Sequence, residues 1–493
     1  MKAFDSSGSR IAVFGGVAVF VGSIGALIAS VTSTPVGSVL LIGSLLGLLC
    51  LAICRWPEIG LALFLTAGTY KGDARLSSVL SGSFDLTVLL GFIVLFSIGY
   101  QYLARNVRAT HMSLPIVIPY LVLCLLMVLS LGYTSAPTYG MAKASRFLVL
   151  VSIAFFAPWF FLHQQAAIGR FLAVFVCLAL FMFADVLSSG IGLGERGFRS
   201  AFGSNYLALG RVTGLALLSV IFYFLLQGRR FIGTCLCVAI LIALLLSLFM
   251  GGGRGPVIAL IVSIFIVLSL ALLVRRKKKQ HAAKRKVGIK GRLLATIVAC
   301  FIIGINIVYH FSGYFETFFW RIQLLQEGDI GERTGRWEAA LESMSGVRGV
   351  FLGQGVGGFS SVYGSVDDKR GDYPHNIFLE AGAELGILGM GALLYLTVVV
   401  WGKLRAILNE QNNERLPYVG FTLAAVYVFL LINACVSGDL TDNRLLFACM
   451  GVIHAYEQGQ KWSAGINRAD GWEPGPGMPS YYGALPLGRA YFR

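Results

Sequence analysis

The chain has 493 residues, 56% hydrophobic and 13% charged, with a mean hydropathy of +0.76 and a net charge of +16 from 40 basic and 24 acidic side chains. Soluble domains carry roughly a quarter charged residues, so this composition excludes a set of soluble domains and points to an integral membrane protein. Its long segments are apolar all round rather than alternating, which excludes a transmembrane barrel and predicts an all-α, polytopic protein.

A helix crosses a bilayer with about twenty apolar residues, and the sequence offers about fourteen such runs. In chain order these are Ile11 to Val31, Val36 to Cys54, Ile59 to Tyr70, Phe84 to Leu103, Pro115 to Gly132, Phe147 to Leu162 and Phe171 to Ser188. Then come Tyr206 to Leu226, Phe231 to Met250, Gly255 to Val274, Leu293 to Phe311, Ile377 to Trp401, Tyr418 to Val436 and Leu445 to Tyr456. The first is too long for a signal-peptide core and lacks a small-residue exit, so it reads as a span. The third and the last are short. The chain thus divides into N-terminal helices over 1–312, one large loop over 313–376, C-terminal helices over 377–457, and a flexible Pro- and Gly-containing cytoplasmic tail over 458–493.

Lys and Arg mark cytoplasmic loops. Alternate loops hold Arg55, then Arg105 and Arg108, Arg170, Arg229 and Arg230, and a long run from Arg275 to Arg292; Lys403, Arg405 and Arg415 keep the parity. Both termini are therefore expected in the cytoplasm. Because orientation accounts for the basic excess, membrane lipid is an expected partner and nucleic acid is not. The nine cysteines fall in apolar runs and read as small buried hydrophobes.

About sixty residues separate Ser312 from Ile377, and parity places this loop outside the membrane. Through Asp372 it is net acidic by roughly three, so its arginines do not set topology. Thr334 is placed to cap a helix in which Trp337, Ala340, Leu341 and Met344 recur at helical spacing, a stripe suited to lying over the membrane domain.

Outward-facing basic residues are informative because orientation does not need them. They are Lys143, Arg146, Arg196, Arg199, Arg211, Arg254, Arg333 and Arg336. Arg211 and Arg254 lie at or inside the membrane boundary, where a charge must be paired or line a polar cavity. Guanidiniums gathered on one side suit phosphate oxygens, which suggests a membrane-bound phosphate or pyrophosphate; the alternative is structural pairing with Asp185, Glu195, Glu332 or Asp439. Gly251-Gly252-Gly253-Arg254-Gly255-Pro256 joins two helices, and the N–H groups opening the second would add to its anion affinity. Tyr373-Pro374-His375-Asn376 closes the large loop. A neutral imidazole there could take a proton from a sugar hydroxyl, while Glu380 and Glu384, one turn apart, either orient the loop or mark the interfacial end of the helix. Gly353 to Gly358 matches G-x-G-x-x-G without a surrounding βαβ unit, no Gly-Lys-Ser/Thr phosphate loop is present, and the histidines show no metal spacing. No metal and no cofactor are expected.

Pro374-His375-Asn376-Ile377-Phe378-Leu379-Glu380, continued by Glu384-Leu385-Gly386-Ile387-Leu388-Gly389, resembles the hallmark of the O-antigen ligase and polymerase family. The Gly-Gly-Gly-Arg254-Gly-Pro turn resembles that family's small-residue-Arg-Gly motif. Tyr139-Gly140 with Lys143 and Arg146, Thr334-Gly335-Arg336-Trp337, Leu352-Gly353-Gln354-Gly355, and Ser437-Gly438-Asp439 through Asn443-Arg444 follow in the family's order. The resemblance implies a GT-C-like helical membrane glycosyltransferase in the bacterial inner membrane, taking a glycan from undecaprenyl diphosphate on the periplasmic side. Ligases pass it to a lipid A-core sugar, and polymerases pass it to another lipid-linked repeat. By motif, Arg254 and Arg336 would hold the diphosphate with Arg211, Lys143 and Arg146 beside them. His375 would be the base or positioning group, and Arg333, Asn376, Glu380, Asp439 and Arg444 would support the site. Fourteen spans exceed the twelve usual in ligases, so ligase and polymerase both stay open. A transporter or flippase of lipid-linked oligosaccharide is the more distant alternative.

Overall fold

Apolar segments in lipid can satisfy their own backbone only as helices, and every regular element among the described residues is helical. The computed structural model describes residues 50–70, 85–103, 112–188, 200–227, 231–279, 333–364, 372–410 and 418–469, with a few isolated positions between them. In chain order the elements are α1 (Pro57–Thr66), α2 (Leu86–Leu103), α3 (Leu114–Ser130), α4 (Pro137–Phe161), α5 (Gln165–Ser188), α6 (Tyr206–Phe224), α7 (Phe231–Met250) and α8 (Arg254–Lys279). The short helices α9 (Arg333–Ser343), α10 (Gly346–Phe351) and α11 (Phe359–Tyr363) precede α12 (Ile377–Glu410), α13 (Tyr418–Val436) and α14 (Arg444–Ala469).

Eight helices among the described residues are long and apolar enough to cross a membrane: α2, α4 to α8, α12 and α13. The expected first span, most of the second and eleventh, Arg196 and Arg199, and the tail from residue 470 lie outside the described residues. The sixth span begins ten residues earlier than expected, at Pro137, because Lys143 and Arg146 continue a helix instead of ending a loop. Helix α9 forms where the apolar spacing placed it, although Thr334 lies inside it rather than capping it. Its packed side runs through Arg336, Trp337, Ala340 and Ser343, with Met344 just past its end, while Leu341 is exposed.

Two helices form the centre. Of their apolar windows, α6 and α13 bury 78% against 28% for α7, so α6 and α13 face protein on all sides and α7 sits at the rim. A second packing centre holds α3 against α4 and α14 through Tyr120, which stacks on Phe155 at 4.3 Å and meets Phe447 edge-on.

The helix ends fall into two poles. At one pole, Arg170 pairs with Glu58, and Lys403 and Lys461 both pair with Glu457. At the other pole, the α3–α4 turn meets the segment after α10 through Tyr133 Oη to Leu352 O (2.7 Å) and Thr134 Oγ1 to Val356 O (2.8 Å). The starts of α6 and α8, the start of α12 and the α13–α14 hairpin close the same pole: Gly210 abuts Pro256, Gly255 abuts Val436, and Arg211 reaches Ser437. The loop helices therefore pack on the membrane helices.

Candidate functional site

The second pole is built around a buried cation. Lys143, on the inner face of α4, is fully buried, and its ammonium lies 2.6 Å from Glu380 Oε1 and 2.7 Å from Glu384 Oε1 of α12, both also fully buried. Spacing of one turn puts the two carboxylates on one helix face, so a single ammonium bridges them. Glu380 also accepts the Leu440 N–H (3.1 Å), fastening the α13–α14 hairpin to the same point. Tyr139, one turn before Lys143, directs its hydroxyl to Asp439 Oδ2 at 3.5 Å. Asp439 in turn accepts from Thr441 Oγ1 and from the Asp442 N–H (2.7 Å), which folds residues 437–443 into a tight turn.

Helix α12 itself is broken inside this region. Gly386 has φ 70 and ψ −170, a backbone that only glycine adopts readily, and a Cβ there would lie 2.3 Å from Phe351 O. The break lets Gln354 N and Gly355 N donate to the carbonyls of Ala383 and Glu384, at 2.8 and 2.9 Å. The glycine-rich stretch from Gly353 is thus a packing loop against α12: a Cβ on Gly355 would lie 2.5 Å from Thr134 Cα. Asn376 caps α12, its Oδ1 accepting from the N–H of Phe378 (3.0 Å) and Leu379 (3.2 Å), which fixes the residue just before it, His375.

Beside the triad lies a set of half-buried arginines. Arg211 Nη2 donates to Ser437 O at 2.7 Å and its guanidinium sits against Gly438, while its Nε is buried without a hydrogen-bond partner. Arg336 Nη1 lies 2.7 Å from Asp372 Oδ1 and 3.4 Å from Tyr373 O, with the guanidinium 4.7 Å over the Tyr363 ring. His375 takes a left-handed backbone (φ 59) and meets Tyr373 edge-on at 4.6 Å. Such a conformation in a residue other than glycine costs on the order of 1–3 kcal/mol, and it is held here by Pro374 before it and the cap after it. Tyr373 faces Asp439, Asp442, Glu380 and Arg211, and burial pushes its hydroxyl well above the ordinary range, so it is a neutral donor. Asp442 stays in touch with solvent, yet the Asp439 carboxylate beside it and the desolvation of the turn push it up to about 6, against the pull of Arg211, Arg444 and Arg146.

Of the residues expected at the site, Arg146, Arg211, Arg336, His375, Asp439 and Arg444 come together at this pole around Tyr373 and Asp442. Arg254 begins α8 beside them, its neighbour Gly255 against Val436 at the end of α13. Arg333 lies one turn before Arg336 on the same side of α9. Lys143 and Glu380 are placed differently: with Glu384 they form the sealed triad beside the arginines. Of the carboxylates expected to pair with arginine, Asp185 accepts the Phe202 N–H at 2.7 Å, whereas Glu195 and Glu332 lie outside the described residues. Tyr363 and Asp442 do not stand out in the sequence; only their places within or beside the loop motifs could have signalled them.

No curated protein matches the chain. Residues 238–394, from α7 into α12, match the family model described as O-Antigen ligase. That segment contributes Arg254, Arg336, His375, Glu380 and Glu384 to the pole, while Lys143, Arg211 and the 437–444 hairpin lie outside it. The match agrees with what the motifs indicated: over residues 238–394 this multi-helix chain is similar to the O-antigen ligase family.

Proposed function

We propose that the chain transfers a glycan from undecaprenyl diphosphate to an acceptor sugar hydroxyl on the periplasmic side of the bacterial inner membrane, as a metal-independent, inverting ligase. The observation that supports this most is the convergence, at one pole, of guanidiniums from α6, α9 and α14 with a histidine at the start of α12. Diphosphate is a good leaving group, so the reaction needs charge stabilisation where the C1–O bond breaks and a group to receive the acceptor's proton. Arg211, Arg254 and Arg336 take the charge that develops on the diphosphate, helped by the backbone N–H groups that open α8. The acceptor oxygen forms the new bond to C1 from the opposite face, its proton passes to His375, and the diphosphate leaves with the electron pair. Lys143, already bridging two carboxylates, holds α12 and the hairpin in register and does not touch the donor.

Purified protein in nanodiscs, given labelled lipid-linked glycan, acceptor and a chelator, tests this. Transfer should persist with chelator and fall at least a hundredfold in folded His375→Ala and Arg254→Ala. Activity that vanishes with chelator and returns with magnesium overturns the metal-free step; activity that survives both substitutions overturns the site. Cells lacking the protein separate the acceptors. Polymer accumulating on the lipid carrier indicates a ligase, and single repeats on the acceptor indicate a polymerase.

A further inference from the structure

Beside the arginines, between the end of α1, the start of α2, the end of α5 and the turn before α6, lies a cavity of about 640 Å³. Its wall combines three aromatic rings, Tyr70, Phe181 and Phe202, with Asp73, Asp185 and Ser188. Phe202 is the centre of this wall: its ring lies 5.1 Å from Tyr70 and 5.0 Å from Phe181. It is held there in a left-handed backbone (φ 53) by the 2.7 Å bond from its N–H to Asp185 Oδ2. Phe181 and Asp185 share one side of α5, so a carboxylate in the last turn of a membrane helix faces the same space as the rings. A carboxylate at that depth is costly unless it lines a polar cavity.

The cavity adjoins the arginine cluster. A Cβ on Gly68, two residues before Tyr70, would lie 3.4 Å from Arg444 Nη2, and Arg444 also feels Asp85, next to the cavity residue Leu86, together with Asp439 and Asp442. Arg444 therefore stands between the cavity and the proposed diphosphate site. The volume falls within the roughly 300–1,000 Å³ of small-molecule sites, and aromatic faces with a few fixed acceptors are the chemistry that takes a sugar ring, apolar on its faces and hydroxyl-rich at its edge. Two carboxylates disfavour phosphate and uronic acids. We infer that this cavity is a glycan subsite, binding neutral or amino sugars of the lipid-linked donor while its diphosphate lies on the arginines. The inference rests on the reading given under Proposed function.

The test titrates full-length protein in nanodiscs with two probes: the lipid-linked glycan extracted from its own host, and undecaprenyl diphosphate, which carries no sugar. Phe181→Ala and Asp73→Asn should weaken binding of the first at least tenfold and leave the second within twofold. Equal loss for both probes, or loss for neither, overturns the subsite. Ser188→Ala removes a single oxygen from the lining and decides the matter if the larger changes misfold: a threefold or greater loss confined to the glycan-bearing probe supports the inference, and no difference overturns it. Arg254→Ala separates the two readings. If it leaves binding of undecaprenyl diphosphate intact, the diphosphate site itself is wrong, whatever the cavity variants do.

Discussion

Two cationic groups at the same pole have opposite surroundings. Lys143 is sealed, with no exposed surface and two carboxylates within 2.7 Å, whereas Arg336 is partly open, pairing with one partly exposed carboxylate and lying over a tyrosine ring. A compact ammonium bridging two carboxylates fixes helices to one another. A planar guanidinium keeps edges and faces for a ligand. Charge position alone therefore does not separate a clamp between helices from a cation nearer the surface of the pole; the surroundings of the charge do.

The comparison breaks first at the sealed side. Lys143→Met strands two buried carboxylates, which costs about 3–5 kcal/mol, and should show as loss of folded protein by size exclusion and thermal unfolding. Replacing all three members with neutral side chains, Lys143→Met with Glu380→Gln and Glu384→Gln, should recover much of that loss, since no charge is left unpaired and the amide introduced by Glu380→Gln still offers an oxygen to the Leu440 N–H. If the triple variant is no more stable than the single one, the triad is not what holds α12 to α4. Gly386→Ala comes next. Its Cβ meets the Phe351 carbonyl in a backbone that alanine resists, so a loss on the order of 1–3 kcal/mol is expected, with the Gln354 and Gly355 amides losing protection in hydrogen exchange.

What the sequence makes legible follows from these same residues. Apolar run length gives the spans of α6, α7 and α13 to within two residues, because lipid leaves the backbone no alternative to a helix. The start of α4 is hidden for a physical reason: Lys143 reads as a loop charge until Glu384, 241 residues away, is known to enclose it. Motif likeness picks out Arg336, His375 and the 437–444 hairpin, which do meet at one pole. It does not tell that the Gly353 to Gly358 run packs against α12, nor that Asp442 joins the arginines, since both depend on how the hairpin and the α3–α4 turn fold onto each other.

On the open side, Arg336→Lys keeps the charge and loses the fork that reaches Asp372 and the stack on Tyr363. Transfer should fall more than tenfold, while the thermal midpoint moves by no more than a degree or two. The split separates this residue from Lys143: a midpoint drop matching that of Lys143→Met would make Arg336 part of the scaffold.

The smallest effect belongs to Asp442, and its sign is fixed by its neighbours. Its carboxyl is held up at about 6, above the ordinary range, chiefly by Asp439. Because the folded value is raised, the contribution to stability is present at low pH and is lost as pH rises through about 6. Protonation below pH 6 also removes one negative charge from beside Arg211, Arg444 and Arg146, so affinity for undecaprenyl diphosphate should rise as pH falls from 7 to 5. Binding is the measurement to use, because turnover would also depend on the proton that the proposed reaction passes to His375. Asp442→Asn carries the low-pH charge at every pH and should bind as tightly at pH 7 as the native protein does at pH 5, flattening the profile. A pH profile unchanged by Asp442→Asn would mean that the carboxylate does not face the bound diphosphate, and the open cluster would then extend towards Arg254 and Arg336 rather than towards the hairpin.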